Sequence, residues 1–176
     1  MQIASRVGEN GSVTCIDRDA RKIAALQHRF AEFPQLLTPA FVLGDATDPA
    51  LLPQTLTFDR VLVDAPCTAL GVLARHPEAR WWRKHDDAAR LAPTQRALLE
   101  AMASHVAPGG RLLYAVCSND EREGSEVVEA FLASSNFVRV PMPERLAAMC
   151  DAKGDVLIPP IDGRDGFFIS AMERPR

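Results

Sequence analysis

Short apolar runs alternate with amphipathic stretches along this chain, which is the pattern of strands followed by helices. The strand-like runs lie at residues 12–16, 40–43, 60–63, 111–116, 137–140 and 166–171. Helix-compatible stretches lie at residues 1–7, 19–30, 93–106 and 118–133. Strands that alternate with helices predict an α/β fold with a mostly parallel sheet covered on both faces. The last two runs predict an antiparallel hairpin at the carboxyl end.

Turn and capping residues set the expected ends of several helices. Gly8 would end the first one, and residues 47–49, Thr-Asp-Pro, resemble a helix start with proline at its first position. The helix at residues 93–106 would close at the Pro-Gly-Gly sequence of residues 108–110. Ser118 and Glu121 have the spacing of a capping box, which predicts a helix directly after Cys117.

Three aspartates, Asp17, Asp45 and Asp64, each follow a strand-like run. Ligands of open α/β sheets bind at the carboxyl ends of the strands, so these acids should lie at one edge. A carboxylate after the second strand can accept hydrogen bonds from ribose hydroxyls, and one after the third can accept from an adenine amino group. A single aspartate is more often a turn or capping residue. Three at the same edge favour a nucleoside ligand.

Two cysteines are expected at that same edge of the sheet. Cys67 follows Pro66 just after one strand, and Cys117 directly follows the strand at residues 111–116. A strand-end cysteine is most often a small apolar residue of the core. A helix that began after Cys117 would instead lower the thiol pKa and favour the thiolate. Chemistry at carbon 5 of a pyrimidine requires such a thiolate, because its addition to carbon 6 makes carbon 5 nucleophilic.

Composition excludes several classes of protein. The 176 residues suffice for one domain with a substantial core, and the net charge of −3 means that any nucleic-acid-binding surface must be local. No apolar run approaches the ~20 residues of a membrane helix, and no secretory signal is visible. We therefore expect a cytoplasmic protein with no membrane partner. The four cysteines include no CxxC pair, which predicts thiols and no metal site.

The segment at residues 64–78 resembles the hallmark of the Nop/Sun family of RNA cytosine-5 methyltransferases. It contains Asp-Ala-Pro-Cys at residues 64–67 and Arg-His-Pro-Glu at residues 75–78. The resemblance continues at residues 95–99, 108–110, 114–118, 121 and 165–169, and so covers nearly the whole chain. It is closest to the family's bacterial 16S ribosomal RNA enzyme. The resemblance implies a Rossmann-like fold, S-adenosylmethionine as cofactor and ribosomal RNA as partner.

The same resemblance implies a role for each candidate residue. Cys117 is the nucleophile that forms a covalent adduct at carbon 6 of the cytosine, and Cys67 assists product release. Asp64 contacts the cytosine or the cofactor. Asp17 and Asp45 match the acids that bind the ribose and the adenine of S-adenosylmethionine. The implied reaction is transfer of a methyl group to carbon 5 of a cytosine in 16S ribosomal RNA.

Two departures from the family pattern matter. Val116 stands where the family usually has threonine before the nucleophile. The family's glycine-rich cofactor loop and first strand would precede Met1, so we expect a single methyltransferase domain over residues 1–176 that is truncated at its amino terminus. The runs at residues 13–16 and 60–63 would then each expose an unpaired strand edge, which is costly when buried. The two strands would pair directly, another copy would associate there, or the fold would be weak. Cofactor binding by this chain should be weak as well.

The one positive cluster of the sequence lies between Arg75 and His85 and contains Trp81 and Trp82. Basic side chains can neutralise phosphates, and aromatic rings can stack on unpaired bases. Arg75 and His76 are close to Cys67 in sequence, so we assign them to RNA binding. The tryptophans are expected to pack in the core.

Two other functions remain open from the sequence. A methyltransferase acting on DNA cytosine would use the cysteine of its Pro-Cys pair as the attacking group, which is Cys67 here. A truncated domain could keep the fold or an RNA contact without the cofactor, and it would then be non-catalytic.

Overall fold

The structure, a computed structural model, describes residues 1–8 and 10–176. These residues form two compact units, Met1–Pro53 and Gln54–Arg176. A single domain over the whole chain stays a prediction. None of the helices in the described residues combines the length and the apolar character that crossing a bilayer requires.

The unit Met1–Pro53 contains a two-stranded parallel sheet and two helices. In chain order its elements are α1 (Ala4–Val7), β1 (Thr14–Asp17), α2 (Ala20–Ala31) and β2 (Ala40–Leu43). β1 pairs with β2 so that Asp17 lies opposite Leu43, and the two strands therefore end at the same edge. Gly8 ends α1 as expected, with a φ of 81° that favours glycine.

Helix α2 forms where the sequence predicts it. The Asp19 side chain accepts a hydrogen bond from the backbone N–H of Arg21 and so caps the first turn. The helix buries Ile23 and Phe30, and the Phe30 ring meets Phe41 of β2 edge-on with centroids 5.9 Å apart. These contacts give this small unit its apolar core.

The unit Gln54–Arg176 is built on a five-stranded sheet. Its elements are β3 (Phe58–Asp64), a 3₁₀ turn (Leu70–Val72), α3 (Ala79–Trp82), α4 (Asp87–Ala103), β4 (Val106–Val116), α5 (Ser125–Ser134), β5 (Val138–Arg139), a 3₁₀ helix (Glu144–Met149), β6 (Val156–Ile158) and β7 (Phe167–Glu173). The strand order is β3-β4-β7-β5, and β6 also pairs with β7. β3 and β4 are parallel, whereas β7 is antiparallel to β4, β5 and β6. The predicted α/β class is confirmed.

Strand β4 is the centre of this sheet and decides where the site lies. Its side chains Leu112, Tyr114 and Val116 are fully buried, as expected for a strand covered by helices. β3 runs beside it with Val63 opposite Tyr114 and Asp64 opposite Ala115. The two parallel strands therefore end level with each other, and the residues that follow them emerge at one edge.

The predicted hairpin differs in its partners. The strand at β5 does pair with β7, but β6 lies between them in the chain and forms the hairpin with β7. β6 has only three residues and is followed by two prolines, which is too short a signal to predict a strand.

Three of the expected helix boundaries are wrong. Residues 47–49 form turns and not a helix start, because Asp45 accepts hydrogen bonds from the backbone N–H and hydroxyl of Thr47. Helix α4 begins at Asp87, six residues before Pro93, because the alanines and leucine between them are good helix formers. The Pro-Gly-Gly sequence at 108–110 lies inside β4 and does not end the helix.

The capping box at Ser118 and Glu121 is also wrong. α5 begins at Ser125, after a turn, and Gly124 precedes it. The Ser118 side chain is fully buried and bonds to the backbone N–H of Asp120, two residues on, so it is not available to cap a helix.

The strands at residues 13–16 and 60–63 lie in different sheets. Among the described residues, β1 pairs only with β2, and β3 only with β4. Direct pairing of these strands is therefore not observed. Self-association through their edges stays a prediction.

Candidate active site

The turn that follows β3 is fixed by hydrogen bonds on both sides. The backbone N–H of Ala65 donates to the carbonyl of Ala115 in β4 over 3.1 Å. The carbonyl of Pro66 accepts from the side-chain amide of Gln95 in α4 over 2.9 Å. These bonds hold the turn against β4 and α4, and they set the position of Cys67.

The two cysteines predicted to share an edge of the sheet are in contact. The sulfur atoms of Cys67 and Cys117 lie 3.2 Å apart, although the residues are separated by 50 positions in the chain. This contact follows from the register of β3 and β4, which end level with each other. Both residues are half-buried.

The two thiols differ in acidity because they interact with each other. A hydrogen bond from the Cys67 thiol stabilises the Cys117 thiolate and lowers the pKa of Cys117 to about 7. The same bond, together with burial, raises the pKa of Cys67. The negative charges of Asp64 and Glu123 partly oppose the shift at Cys117. At neutral pH a substantial fraction of the Cys117 side chains is therefore thiolate, while Cys67 stays protonated.

The cause of this acidity is not the one that the sequence suggested. A helix amino terminus directly after Cys117 was the expected source of thiolate stabilisation, but α5 begins only at Ser125. Because the dipole effect falls off within one turn, it does not reach the sulfur from there. Cys67 supplies the stabilisation instead.

A buried acid, Glu123, forms hydrogen bonds to the turn that follows β3. Its carboxylate accepts hydrogen bonds from the Thr68 backbone N–H over 2.8 Å, from the Thr68 hydroxyl, and from the Gln95 amide over 3.2 Å. Its backbone carbonyl accepts from the Tyr114 hydroxyl over 2.6 Å. Glu123 is fully buried, and so are Gln95 and Tyr114. This network ties the residue after Cys67 to α4, β4 and the turn before α5.

Sequence reasoning assigned no role to Glu123. Nothing in the sequence separates it from the acids at 120 and 121, because all three lie in one polar stretch. Its burial is a tertiary effect of the turn before α5. Gln95 stood within the segment at 95–99 that carried the family resemblance, but its bonds to Pro66 and Glu123 were not predictable.

The 3₁₀ turn after Cys67 is held close to Cys117 by two glycines. The backbone N–H of Gly71 donates to the carbonyl of Cys117 over 3.0 Å, and the Gly71 carbonyl accepts from Gly166 over 2.7 Å. A Cβ at position 71 would collide with the Gly166 carbonyl, so only glycine permits this approach. The bond from Gly71 therefore also fixes the backbone carbonyl of Cys117.

Asp64 lies at the carboxyl end of β3, as predicted, and its side chain is exposed. It is close enough to Cys117 for its charge to raise the pKa of that thiol. The structure therefore brings together three predicted site residues: Asp64, Cys67 and Cys117.

Arg75 and His76 are exposed, and each has an acidic partner. The Arg75 guanidinium donates to both carboxylate oxygens of Asp165, with an Nε distance of 3.0 Å. His76 Nδ1 lies 3.2 Å from the carboxylate of Glu78. Arg75 therefore joins the segment after Cys67 to the loop before β7, and its assignment to RNA binding stays a prediction, as does that of His76.

In the unit Met1–Pro53, Asp17 and Asp45 lie at the carboxyl edge of the β1–β2 sheet. Asp17 ends β1 and accepts a hydrogen bond from the backbone N–H of Asp19 over 2.8 Å. Asp45 follows β2, and its bonds from Thr47 hold the pKa of its carboxyl below the usual range. Within the described residues, no group of three or more acidic, histidine or cysteine side chains could hold a metal ion.

The sequence of the chain matches a known protein family over almost its whole length. Residues 1–173 match the family described as 16S rRNA methyltransferase RsmB/F. Ribosomal RNA small subunit methyltransferase B of Vibrio cholerae is 35% identical over 162 residues, which are 92% of this chain and 36% of that protein. The chain thus spans about a third of the length of such relatives.

Solved structures show the same fold. NSun6 from Pyrococcus horikoshii, crystallised with SFG, superposes with a TM-score of 0.82 at 22% identity, over 99% of this chain and 44% of that one. A methyltransferase homolog protein from Pyrococcus horikoshii gives a TM-score of 0.76 at 22% identity, over 93% of this chain and 53% of that one. The predicted Rossmann-like methyltransferase fold is confirmed.

Proposed function

Because this chain belongs to the 16S rRNA methyltransferase RsmB/F family, we propose that it is the catalytic domain of an S-adenosylmethionine-dependent RNA cytosine-5 methyltransferase. The observation that carries the proposal is the contact of 3.2 Å between the Cys67 and Cys117 sulfurs. In this pair Cys117 is the nucleophile and Cys67 is the hydrogen-bond donor. Methylation at carbon 5 requires both roles, because a thiol must attack carbon 6 and later leave it.

The reaction begins with Cys117. Its thiolate adds to carbon 6 of the cytosine, which breaks the 5,6 double bond and makes carbon 5 nucleophilic. When bound, S-adenosylmethionine would supply the electrophilic methyl group for carbon 5, with S-adenosylhomocysteine as the leaving group. Transfer of the carbon 5 proton to solvent water then restores the double bond and expels the Cys117 thiolate. The lowered pKa of Cys117 suits it to both steps, since it can attack and leave near neutral pH.

Cys67 assists the release of the product, and Asp64 assists the binding of the cytosine. The Cys67 thiol donates to the Cys117 sulfur as it leaves, so adduct breakdown depends on it more than adduct formation does. Asp64 lies at the strand end beside Cys117, where it can hold the pyrimidine through the ring nitrogen or the amino group. In the DNA-type reaction Cys67 would be the attacking group, which requires Cys117 to be the donor in the contact between the two sulfurs.

Asp17 and Asp45 fit the chemistry of the cofactor's nucleoside. Two carboxylates at one sheet edge can accept from ribose hydroxyls and from an adenine amino group. Among the described residues, both hydrogen bonds to Asp45 use Oδ1, which leaves Oδ2 to accept from a ligand. We assign Asp17 to the ribose and Asp45 to the adenine, and we take the substrate to be a cytosine of 16S ribosomal RNA in the cytoplasm.

The test is covalent trapping on RNA that carries 5-fluorocytosine. Fluorine at carbon 5 cannot leave as a proton does. In the presence of S-adenosylmethionine the parent protein should therefore accumulate a covalent adduct with the RNA. Peptide mapping should place that adduct on Cys117. Cys117→Ala should form no adduct and should lose at least about a thousandfold in methyl transfer. Cys67→Ala should accumulate an adduct even on ordinary cytosine, because attack survives while release fails.

Cys150→Ala is the matched control, since this half-buried thiol lies outside the site. It should behave like the parent. An adduct on Cys67, or a stronger adduct with DNA of the same sequence, would favour the DNA reading. No adduct, together with no heat on titration with S-adenosylhomocysteine, would identify a non-catalytic domain.

A further inference from the structure

Two adjacent tryptophans are exposed, contrary to expectation. The sequence predicted that Trp81 and Trp82 would pack in the core, but their exposed fractions are 83% and 77%. They lie in α3 and at its end, in a run of exposed residues from 80 to 86. Tryptophan is highly buried on average, so two neighbours in solvent indicate a surface that contacts something else.

The side chains around the tryptophans are basic and lack acidic partners. Arg80, Arg83 and Lys84 are exposed, and none of their side chains forms an ion pair within the described residues. Most other arginines of the unit Gln54–Arg176 do form one, as Arg75 does with Asp165. Asp86 lies in the run, and Glu78 and Asp87 flank it, but Glu78 pairs with His76 and Asp87 with Arg90. Unpaired cations beside exposed rings leave a local positive charge on a chain whose net charge is −3.

The segment at residues 75–85 carries the tryptophans, and hydrogen bonds at both of its ends join it to loops near Cys117. Arg75 bonds to Asp165 at the start of the segment, on the loop before β7. At the other end the carbonyl of His85 accepts from the Arg122 guanidinium over 3.2 Å. Arg122 lies in the turn between Cys117 and α5, where Asp120 also holds it. The tryptophans are therefore carried on a segment that the active-site loops position.

We propose that Trp81 and Trp82 form a stacking platform for unpaired RNA bases, with Arg80, Arg83 and Lys84 on the neighbouring phosphates. This inference rests on the proposed function and names the form of its substrate: single-stranded RNA beside the target cytosine. Aromatic rings stack on splayed bases irrespective of sequence, and basic side chains follow the backbone between them. Bases inside a duplex are already stacked and do not offer a free face.

A protein partner fits the same surface less well. Tryptophan and arginine are common at protein interfaces too, whereas lysine is disfavoured there, so the unpaired charges distinguish the two kinds of partner. Here Arg80, Arg83 and Lys84 flank the two adjacent rings in sequence, so a protein would have to bury unpaired charges or supply three acids. Phosphates supply that negative charge at regular spacing.

The chain itself provides the probe, because Trp81 and Trp82 are its only two tryptophans. Intrinsic tryptophan fluorescence therefore reports on this surface alone. We expect a 12-nucleotide oligouridylate, which contains no cytosine and so cannot react, to quench the emission. A duplex RNA of the same length should quench far less. In anisotropy titrations Trp81→Ala and Trp82→Ala should each weaken binding by about fivefold to a hundredfold, the usual effect of losing one base stack.

Charge variants give an independent readout. Arg80→Ala and Arg83→Ala should each reduce the salt slope of binding by about one. Arg145→Ala, in the 3₁₀ helix Glu144–Met149, is the matched control because Arg145 is also exposed, and it should leave both affinity and slope unchanged.

Four results would overturn the inference. Affinity within twofold of the parent in both tryptophan variants would remove the platform, and so would equal quenching by duplex and single strand. Sedimentation showing self-association that Trp81→Ala abolishes would make the surface a contact between copies. If the protein forms the covalent adduct with 5-fluorocytosine RNA but does not bind oligouridylate, the stacking platform is refuted and the proposed reaction stands. If it binds oligouridylate but forms no adduct, only the proposed reaction is refuted.

Discussion

The turn at residues 64–68 and the run at residues 80–86 both follow strand β3, yet they are built in opposite ways. In the turn, the Pro66 carbonyl and the Thr68 N–H and hydroxyl all have buried partners. In the run, the tryptophan rings and three cations extend into solvent. The first arrangement fixes reacting atoms, and the second leaves side chains free to adapt to a ligand.

This difference has a physical basis in what each region must do. A displacement of about 1 Å at reacting atoms can cost two orders of magnitude in rate, so the positions of the sulfurs must be determined by packing. Contact with a flexible single strand needs exposed rings and charges more than fixed geometry. If the contrast is correct, substitutions in the turn should lower stability and reactivity, and those in the run should change only binding.

The largest effect on stability is expected from Glu123→Leu. The leucine side chain has no acceptor for the Thr68 N–H and the Gln95 amide, which both donate to one carboxylate oxygen of Glu123. Each buried donor left without an acceptor costs about 1–3 kcal/mol, so we expect the free energy of unfolding to fall by about 2–4 kcal/mol. Urea denaturation monitored by circular dichroism measures it.

Glu121→Leu is the matched control, because this exposed acid lies two residues away. It should change the free energy of unfolding by less than about 0.5 kcal/mol. Equal losses in the two variants would show that the Glu123 network does not hold the turn, and the contrast between the two regions would fail.

The sequence predicted the framework of the site well because that framework depends on local patterns. β3 and β4 appear as apolar runs, and the rule that parallel strands end at one edge is enough to bring Cys67 near Cys117. The acids that end β1 and follow β2 share an edge of their own sheet by the same rule. Asp19 and Gly8, which bound helices, were predictable from residue type alone.

What the sequence could not predict depends on contacts between distant residues. The burial of Glu123 requires Thr68 and Gln95, which lie 55 and 28 positions away. Because Ser118 is buried in the same region, α5 begins later than its capping signal indicates. Trp81 and Trp82 were assigned to the core because large apolar rings are usually buried. Their exposure reverses that assignment and supplies the surface to which we attribute RNA binding.

The next effect in size concerns the acidity of Cys117. Cys67→Ala removes the hydrogen bond that stabilises the thiolate, so the pKa of Cys117 should rise from about 7 by about one unit, toward the ordinary thiol value. The measurement is the pH dependence of alkylation by iodoacetamide, with Cys15 and Cys150 replaced by serine so that one thiol reacts. Thiolate formation, and with it alkylation, should then require a higher pH.

Cys67→Ser keeps a hydrogen-bond donor at that position and should retain most of the lowered pKa. An alkylation midpoint that stays near 7 in Cys67→Ala would mean that Cys67 is not the source of the acidity. Trp81→Ala, in the exposed run, should leave the midpoint where the parent has it.

The smallest effect is expected where the tryptophans are replaced. Trp81 and Trp82 are largely exposed, and α3 has only four residues, so Trp81→Ala and Trp82→Ala should each change the free energy of unfolding by less than about 0.5 kcal/mol. Tyr114→Phe is the contrasting variant, since it leaves the Glu123 carbonyl without its buried donor and should cost about 1–3 kcal/mol. Urea midpoints compare the three. A loss above 1 kcal/mol in either tryptophan variant would show that the rings pack against the protein, and a binding defect there could then be a folding defect.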